Sequence, residues 1–144
     1  KGDTEIGFYL GEMMGRTLLN SSRFSSIDAL VPLPLYADKE HKRGYNQAAI
    51  ICNGISAVMN VPVLNGTVIR QQATETQTRK HRTERWENVK QSFKVAKGHE
   101  LAGKHLLLVD DVVTTGATLE ACGHVILGIE RVKLSIATLA YAAK

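Results

Sequence analysis

The chain is poor in the residues that would make it a stapled or metal-built fold. It has two cysteines, Cys52 and Cys122, far apart and outside any CxxC pair, and five histidines with no shared spacing. That excludes a disulfide framework and argues against a structural zinc site within this chain. Both cysteines are expected to be small core residues in a reducing compartment. Aromatic residues make up 6% of the chain, with a single tryptophan, so no stacking platform for a nucleic-acid strand is evident. No apolar run approaches the roughly 20 residues that cross a bilayer, and the start carries no leader pattern. The expectation is a cytoplasmic protein without membrane insertion. The phosphate loop GxxxxGK[ST], internal repeats and low-complexity segments are all absent.

What is present is ordinary for a globular protein: 144 residues, 44% hydrophobic and 22% charged. The length fits one domain over residues 1–144. The net charge of +4 favours an anionic partner, whether a phosphorylated metabolite or nucleic acid. The opening KGDTEIG lacks an initiator methionine and reads as part of a longer protein.

Residues 4–20 have helical periodicity within an N-terminal helical segment, 1–26. Ile6, Leu10, Met13, Thr17 and Leu18 lie near one face. Gly7, Gly11 and Gly15 form a smooth strip, expected to pack tightly on a sheet or on another subunit. IDALVPLPL (27–35) reads as a buried strand stopped by prolines. A helix is expected from about Asn46 to Asn60, with Asn46 as its cap and Gly44 turning the chain before it. Short strands follow near 61–69 and 91–95. The run Leu106–Val109 has no polar alternation, as in a central strand covered on both faces. A helix over 117–127 ends at Gly128, the place of a C-cap glycine, and RVKLSIATL alternates as a last strand. Strands alternating with helices imply an α/β domain around a mostly parallel sheet. Residues 70–89 break the pattern: they have no apolar period and are rich in arginine, a length of loop that is either disordered or functional.

The chemistry concentrates in VDDVVTTGAT, residues 109–118. Parallel sheets bind ligands at the carboxyl ends of their strands, where Asp110 and Asp111 are expected. The helix starting near Gly116 or Ala117 offers unpaired N–H groups and a positive dipole end to a phosphate. Gly116 lets the backbone approach an anion closely, and Thr114, Thr115 and Thr118 add hydroxyl donors. The two carboxylates would repel that phosphate. They suit a vicinal diol, or Mg²⁺ held through water. Phosphate at one end and diol or metal at the other describe a ribose 5-phosphate.

LLLVDDVVTTGATL resembles the phosphoribosyl-diphosphate (PRPP) signature of type I phosphoribosyltransferases. The order VPLPL, KRGYNQAA, TETQTRKHRTERWENVKQSF and LVDDVVTTGATL is similar to the ComF family, associated with DNA uptake in competence. The resemblance covers residues 27–141 and departs in one respect, since the four-cysteine zinc ribbon that usually opens ComF proteins has no counterpart here. It implies a type I phosphoribosyltransferase fold, a mostly parallel central sheet flanked by helices, with Mg²⁺ as cofactor. Asp110 and Asp111 would engage the ribose hydroxyls and, through water, the metal. Val112, Val113, Thr114, Thr115, Gly116, Ala117 and Thr118 would form the PRPP loop. Arg43, Gly44 and Tyr45 would sit by the pyrophosphate, and 70–89 would be the mobile hood. Arg85 matches the family pattern there, while Arg79, Lys80 and Arg82 are candidates by charge.

Three functions follow as expectations. The first is Mg²⁺-dependent transfer of ribose 5-phosphate from PRPP to an unknown nitrogen acceptor, with Asp110, Asp111 and Arg85 as catalytic residues. The second is a non-catalytic PRPP-binding module acting with competence proteins. The third is direct binding of single-stranded DNA. A homodimer is the expected assembly.

Overall fold

A computed structural model of the chain describes residues 2–71 and 92–143. In chain order the elements are α1 (Gly2–Leu19), β1 (Ala29–Pro32), α2 (Ala37–Arg43), α3 (Gln47–Met59), β2 (Val68–Arg70), β3 (Phe93–Val95), β4 (His105–Val113), α4 (Ala117–Leu127) and β5 (Lys133–Tyr141). β4 lies between β1 and β5 and is parallel to both, with Leu107 opposite Leu30 on one side and Ser135 on the other. Residues 62–64 extend the sheet beyond β1, because Leu30 donates to the carbonyl of Pro62 at 2.9 Å and accepts from Leu64 at 2.8 Å. β2 and β3 form a separate antiparallel pair.

The unbroken apolar run of β4 has a direct cause. Successive side chains of a strand point to opposite faces, and here both faces are covered. Leu106 and Leu108 join Ala29, Val31, Phe93 and the α4 residues Leu119, Cys122 and Ile126. Leu107 and Val109 join Leu30 and the α3 residues Ile51, Cys52 and Ile55 on the other side. All four β4 side chains are fully buried. Each contributes about 1.5–3 kcal/mol of burial free energy. Both cysteines lie in these cores, where burial pushes each thiol up to about 12.

α1 corrects the sequence expectation. Its apolar residues Ile6 and Met13 are 59% and 46% exposed. The buried face is the glycine strip, and it packs on α3, neither on the sheet nor on another subunit. A Cβ on Gly11 would overlap the carbonyl oxygen of Ile51, and one on Gly54 the carbonyl oxygen of Phe8. Glycine on both helices lets the backbones approach more closely than any side chain allows. The expected dimer therefore gains no support from this strip.

Gly128 does occupy the C-cap of α4, but in a right-handed conformation with φ −72°. At the amino end of the sheet, the buried His105 ring lies 2.9 Å from the Ser26 hydroxyl and 2.7 Å from that of Ser135. Its backbone N–H donates to Asp28 at 2.8 Å. This network fastens three segments together at the amino end of the sheet, away from its carboxyl edge.

The glycine contact yields a prediction of sign. Helix propensity alone would make Gly54→Ala stabilising by about 1 kcal/mol. The clash with Phe8 instead makes it destabilising by about 1–3 kcal/mol. Urea denaturation reads the difference, and a more stable variant would refute the close packing.

Candidate functional site at the carboxyl edge of the sheet

From the carboxyl end of β1 the chain runs through α2 and α3 to residues 62–64, on one side. From the carboxyl end of β4 it runs through α4 to β5, on the other. Adjacent parallel strands whose connections depart in opposite directions leave a crevice between them, the usual ligand position of an open α/β sheet.

The sequence expectation ended the apolar strand at Val109, with the acids at its edge. The strand in fact continues through Asp110, opposite Thr138, to Val113, opposite Tyr141. β5 is as long as β4, so both acids lie within the extended strand, Asp110 paired with Thr138. The Asp111 N–H donates to Asp110 Oδ1 at 2.8 Å, and the Val112 N–H donates to Asp111 Oδ1 at 2.8 Å. One oxygen of each carboxylate is thereby engaged by the backbone. Burial pushes the Asp110 carboxyl up to about 6. The N–H of Asp111 opposes that rise, the hydrogen bond and charge of the Asp111 carboxyl reinforce it, and the positive charge of Arg70 opposes it again.

Beyond the strand, Gly116 is the N-cap of α4 with φ +83°, a left-handed conformation that a Cβ would strain. Thr115 Oγ1 accepts the N–H of Ala117 at 3.2 Å, which leaves its own O–H free to donate. Glu120 makes the first helical bond, to the carbonyl of Gly116 at 2.8 Å. The first-turn amides before it have no acceptor within the helix. A cavity of about 60 Å³ opens here, lined by Asp110, by Val112 through Thr118, and by Leu119. Of the residues expected from the VDDVVTTGAT stretch, only the half-buried Asp111 is not part of its wall. Hydroxyls, amides and the helix dipole suit a small anion, while the carboxylates beside them suit hydroxyl groups.

The loop after β1 departs further from expectation. Gly44 does turn the chain, with φ +88° and its N–H on the Glu40 carbonyl. Asn46 does cap α3: its Oδ1 accepts from Ala48 at 3.0 Å, and its Nδ2 donates to the Leu33 carbonyl at 3.1 Å. Arg43 and Gly44 are exposed and, with Tyr45, line neither this cavity nor the next. That second cavity, of about 230 Å³, lies by the end of β1, with Pro32, Pro34, Asn46, Asn65 and Arg70 in its wall. Arg70 opens the arginine-rich stretch 70–89 but belongs to β2. Its place at the end of a short β-branched run, VIR, was the signal available. Arg79, Lys80, Arg82 and Arg85, and nearly all of the expected hood, lie outside the described residues.

Among the described residues no three of His, Cys, Asp and Glu gather as a metal cage. Two adjacent carboxylates fit a Mg²⁺ that keeps most of its waters and takes further oxygen ligands from a substrate.

Raising the Asp110 carboxyl above its ordinary value means that the fold favours the protonated form. Ionisation then costs stability as the pH rises from about 4 towards 6, and the full cost remains above that. Asp110→Asn is therefore expected to raise the thermal midpoint of the ligand-free protein at pH 7.5 relative to wild type. The gain should vanish near pH 4, and a pH-independent difference would contradict the burial assignment.

Residues 42–144 match the family described as Phosphoribosyl transferase domain. The chain is similar to Competence protein F of Haemophilus influenzae, with 36% identity over 110 residues, 74% of this chain and 48% of that protein. It is also similar to DNA utilization protein YhgH of Escherichia coli, with 29% identity over 127 residues, 86% of this chain and 55% of that protein. It thus spans about half the length of these relatives. Among solved structures, the hypoxanthine phosphoribosyl transferase of Trypanosoma cruzi superimposes with a TM-score of 0.57 at 14% identity, over 98% of this chain and 76% of that one. No described helix is long and apolar enough to cross a membrane. With its parallel sheet β1–β4–β5 between helices and its acidic strand end leading into a threonine–glycine turn, the chain belongs to the phosphoribosyltransferase domain family and, within it, to the ComF proteins.

Proposed function

We propose that this chain is a PRPP-binding domain that transfers ribose 5-phosphate to a nitrogen acceptor with release of pyrophosphate. One observation carries the reading: an anion-sized cavity of hydroxyls and helix amides lies against a half-buried carboxylate pair. Together they match the two ends of a ribose 5-phosphate.

In this reading the first-turn amides of α4 and the hydroxyls of Thr114, Thr115 and Thr118 hold the 5-phosphate. The left-handed Gly116 keeps the backbone open to it. The carboxylates of Asp110 and Asp111 accept hydrogen bonds from the ribose hydroxyls and fix the ring. The C1–O bond to pyrophosphate breaks as the C1–N bond to the acceptor forms, and the acceptor releases its proton to solvent. Positive charge that builds on the sugar ring is stabilised by the carboxylates beneath it. When bound through water to the same carboxylates, Mg²⁺ supplies charge neutralisation for the leaving group.

The relatives' names favour a second reading, a PRPP-binding module that serves DNA uptake through partners without turnover. It shares the binding step and differs in lacking pyrophosphate release. Direct binding of single-stranded DNA has less behind it, because Tyr36 and Phe93, near the second cavity, have the Arg70 guanidinium over their rings.

Calorimetric titration of Mg²⁺-PRPP into wild type and Asp110→Asn/Asp111→Asn tests the shared step. Loss of charged hydrogen bonds worth about 1.5–3 kcal/mol apiece predicts at least a tenfold weakening. Equal affinity would remove the carboxylates from the site. Pyrophosphate release in the presence of nitrogen acceptors then separates the enzyme from the binding module.

A further inference from the structure

The sheet is guarded at one edge and open at the other. At the first, residues 62–64 pair with β1 in a short stretch that contains Pro62. At the second stands β5, which pairs with β4 on one side and with no described strand on the other. Alternate N–H and C=O groups of such a strand point away from its sheet, ready to pair with another chain. Natural edges are kept from doing so by shortness, charge or proline. β5 runs for nine residues, and from Leu134 to Tyr141 it has neither a charge nor a proline.

The side chains around this edge are as open as its backbone. Ile136 is 47% exposed and Tyr141 71%. A groove of about 500 Å³ follows the strand, with Leu10, Met13 and Met14 of α1 on one wall and Ile136 through Leu139 on the other. Turning the glycine face of α1 to α3 leaves Met13 beside the edge and exposed. Tyr9, one turn before it, is exposed too. Aromatic residues and methionine are the types enriched where protein surfaces meet.

Charge indicates the occupant. The chain carries a net +4, so two copies repel at a distance and meet best where charge is lacking. Antiparallel pairing of β5 with itself about its midpoint, Ala137, sets Lys133 opposite Tyr141, Ser135 opposite Leu139 and Ile136 opposite Thr138. No charge then faces a like charge. Ile136 of each copy lies diagonal to Ile136 of the other on one face of the sheet, within reach of contact. A strand of another protein would need a complement that this strand supplies by itself.

We propose that β5 is the interface of a two-fold dimer, paired antiparallel with β5 of a second copy and flanked on one face by α1 of each. The two sheets become one, the open edge disappears, and Ile136 leaves water. Because the strands run antiparallel across the junction, the carboxyl edges of the two sheets face opposite ways. The two candidate sites therefore open at opposite ends of the assembly. The dimer does not depend on the PRPP reading.

Sedimentation equilibrium over a concentration series compares wild type with Ile136→Lys, and amide hydrogen exchange reads β5 at both ends of that series. Wild type is expected to dimerise, with the amides of 134–141 better protected at high concentration than at low. Ile136→Lys places like charges beside the two-fold axis and should raise the dissociation constant about tenfold or more. Mixing Ile136→Lys with Ile136→Glu should restore association, a rescue that a merely structural defect would not allow. If Ile136→Lys fails to fold, Met13→Glu on α1 must still weaken the dimer by about threefold or more. Wild type that stays monomeric at every concentration would overturn the proposal. Protection of 134–141 in that monomer would do so as well, and would assign the edge to another segment. A dimer indifferent to these substitutions would place the interface elsewhere and overturn it too.

Discussion

The parallel pairing of β4 with a strand on each side is the constraint on which the rest depends. Because both neighbours hydrogen-bond to it and both faces are covered, its backbone has nowhere to move. The rigidity does not stop at the apolar residues. β5 continues the ladder to Tyr141, so Asp110 and Asp111 are held on strand geometry. Adjacent carboxylates would separate if they were free to do so. Here each instead accepts the next residue's N–H, while burial pushes the half-buried Asp110 up to about 6 against that hydrogen bond. A core built for stability thus holds a locally unfavourable pair of acids in place, as expected where function opposes stability.

Close helix packing does related work on one face of the sheet. Glycines on α1 and α3 bring two backbones into contact, and α3 in turn closes the core around Leu107 and Val109. Asn46, the cap of α3, also binds the carbonyl of Leu33 just past β1. The helix start is thereby tied to the loop that borders the second cavity. The carboxyl edge is braced from the α1–α3 face through this cap and from the α4 face through the Gly116 turn.

The charges across that edge alternate in kind: amide and hydroxyl donors, then carboxylates, then the stacked cation Arg70. Such an order discriminates between ligands. A simple phosphate satisfies only the first part, and a nucleic-acid backbone has no vicinal diol to set against paired acids unless it is RNA at an end. The ligand proposed above, a phosphorylated pentose, offers a phosphate to the donors and hydroxyls to the carboxylates. The acceptor has no such signature among the described residues. This chain spans about half the length of the relatives it matches.

Much of this could be read from the sequence. The run Leu106–Val109, the acids after it, the threonine–glycine turn and the helix over 117–127 are local patterns, set by strand alternation, helix period and left-handed glycine. The caps Gly44 and Asn46 are likewise local, because a turn and an N-cap use only neighbouring backbone. What failed depended on partners distant in the chain. The glycine strip of α1 was expected to pack on a sheet or on another subunit, yet Gly54, some forty residues later, makes α3 its partner. The strand was expected to end at the acids, yet the length of β5 extends it. Arg70 looked like one more loop charge until Tyr36 and Phe93 were placed around it. The sequence by itself determined the buried central strand, the acids after it and the threonine–glycine turn that starts a helix. Only the tertiary structure decided which face of α1 is buried, how far β4 runs and that Arg70, at the end of β2, lies over the Tyr36 and Phe93 rings, because each of these is set by what packs against it.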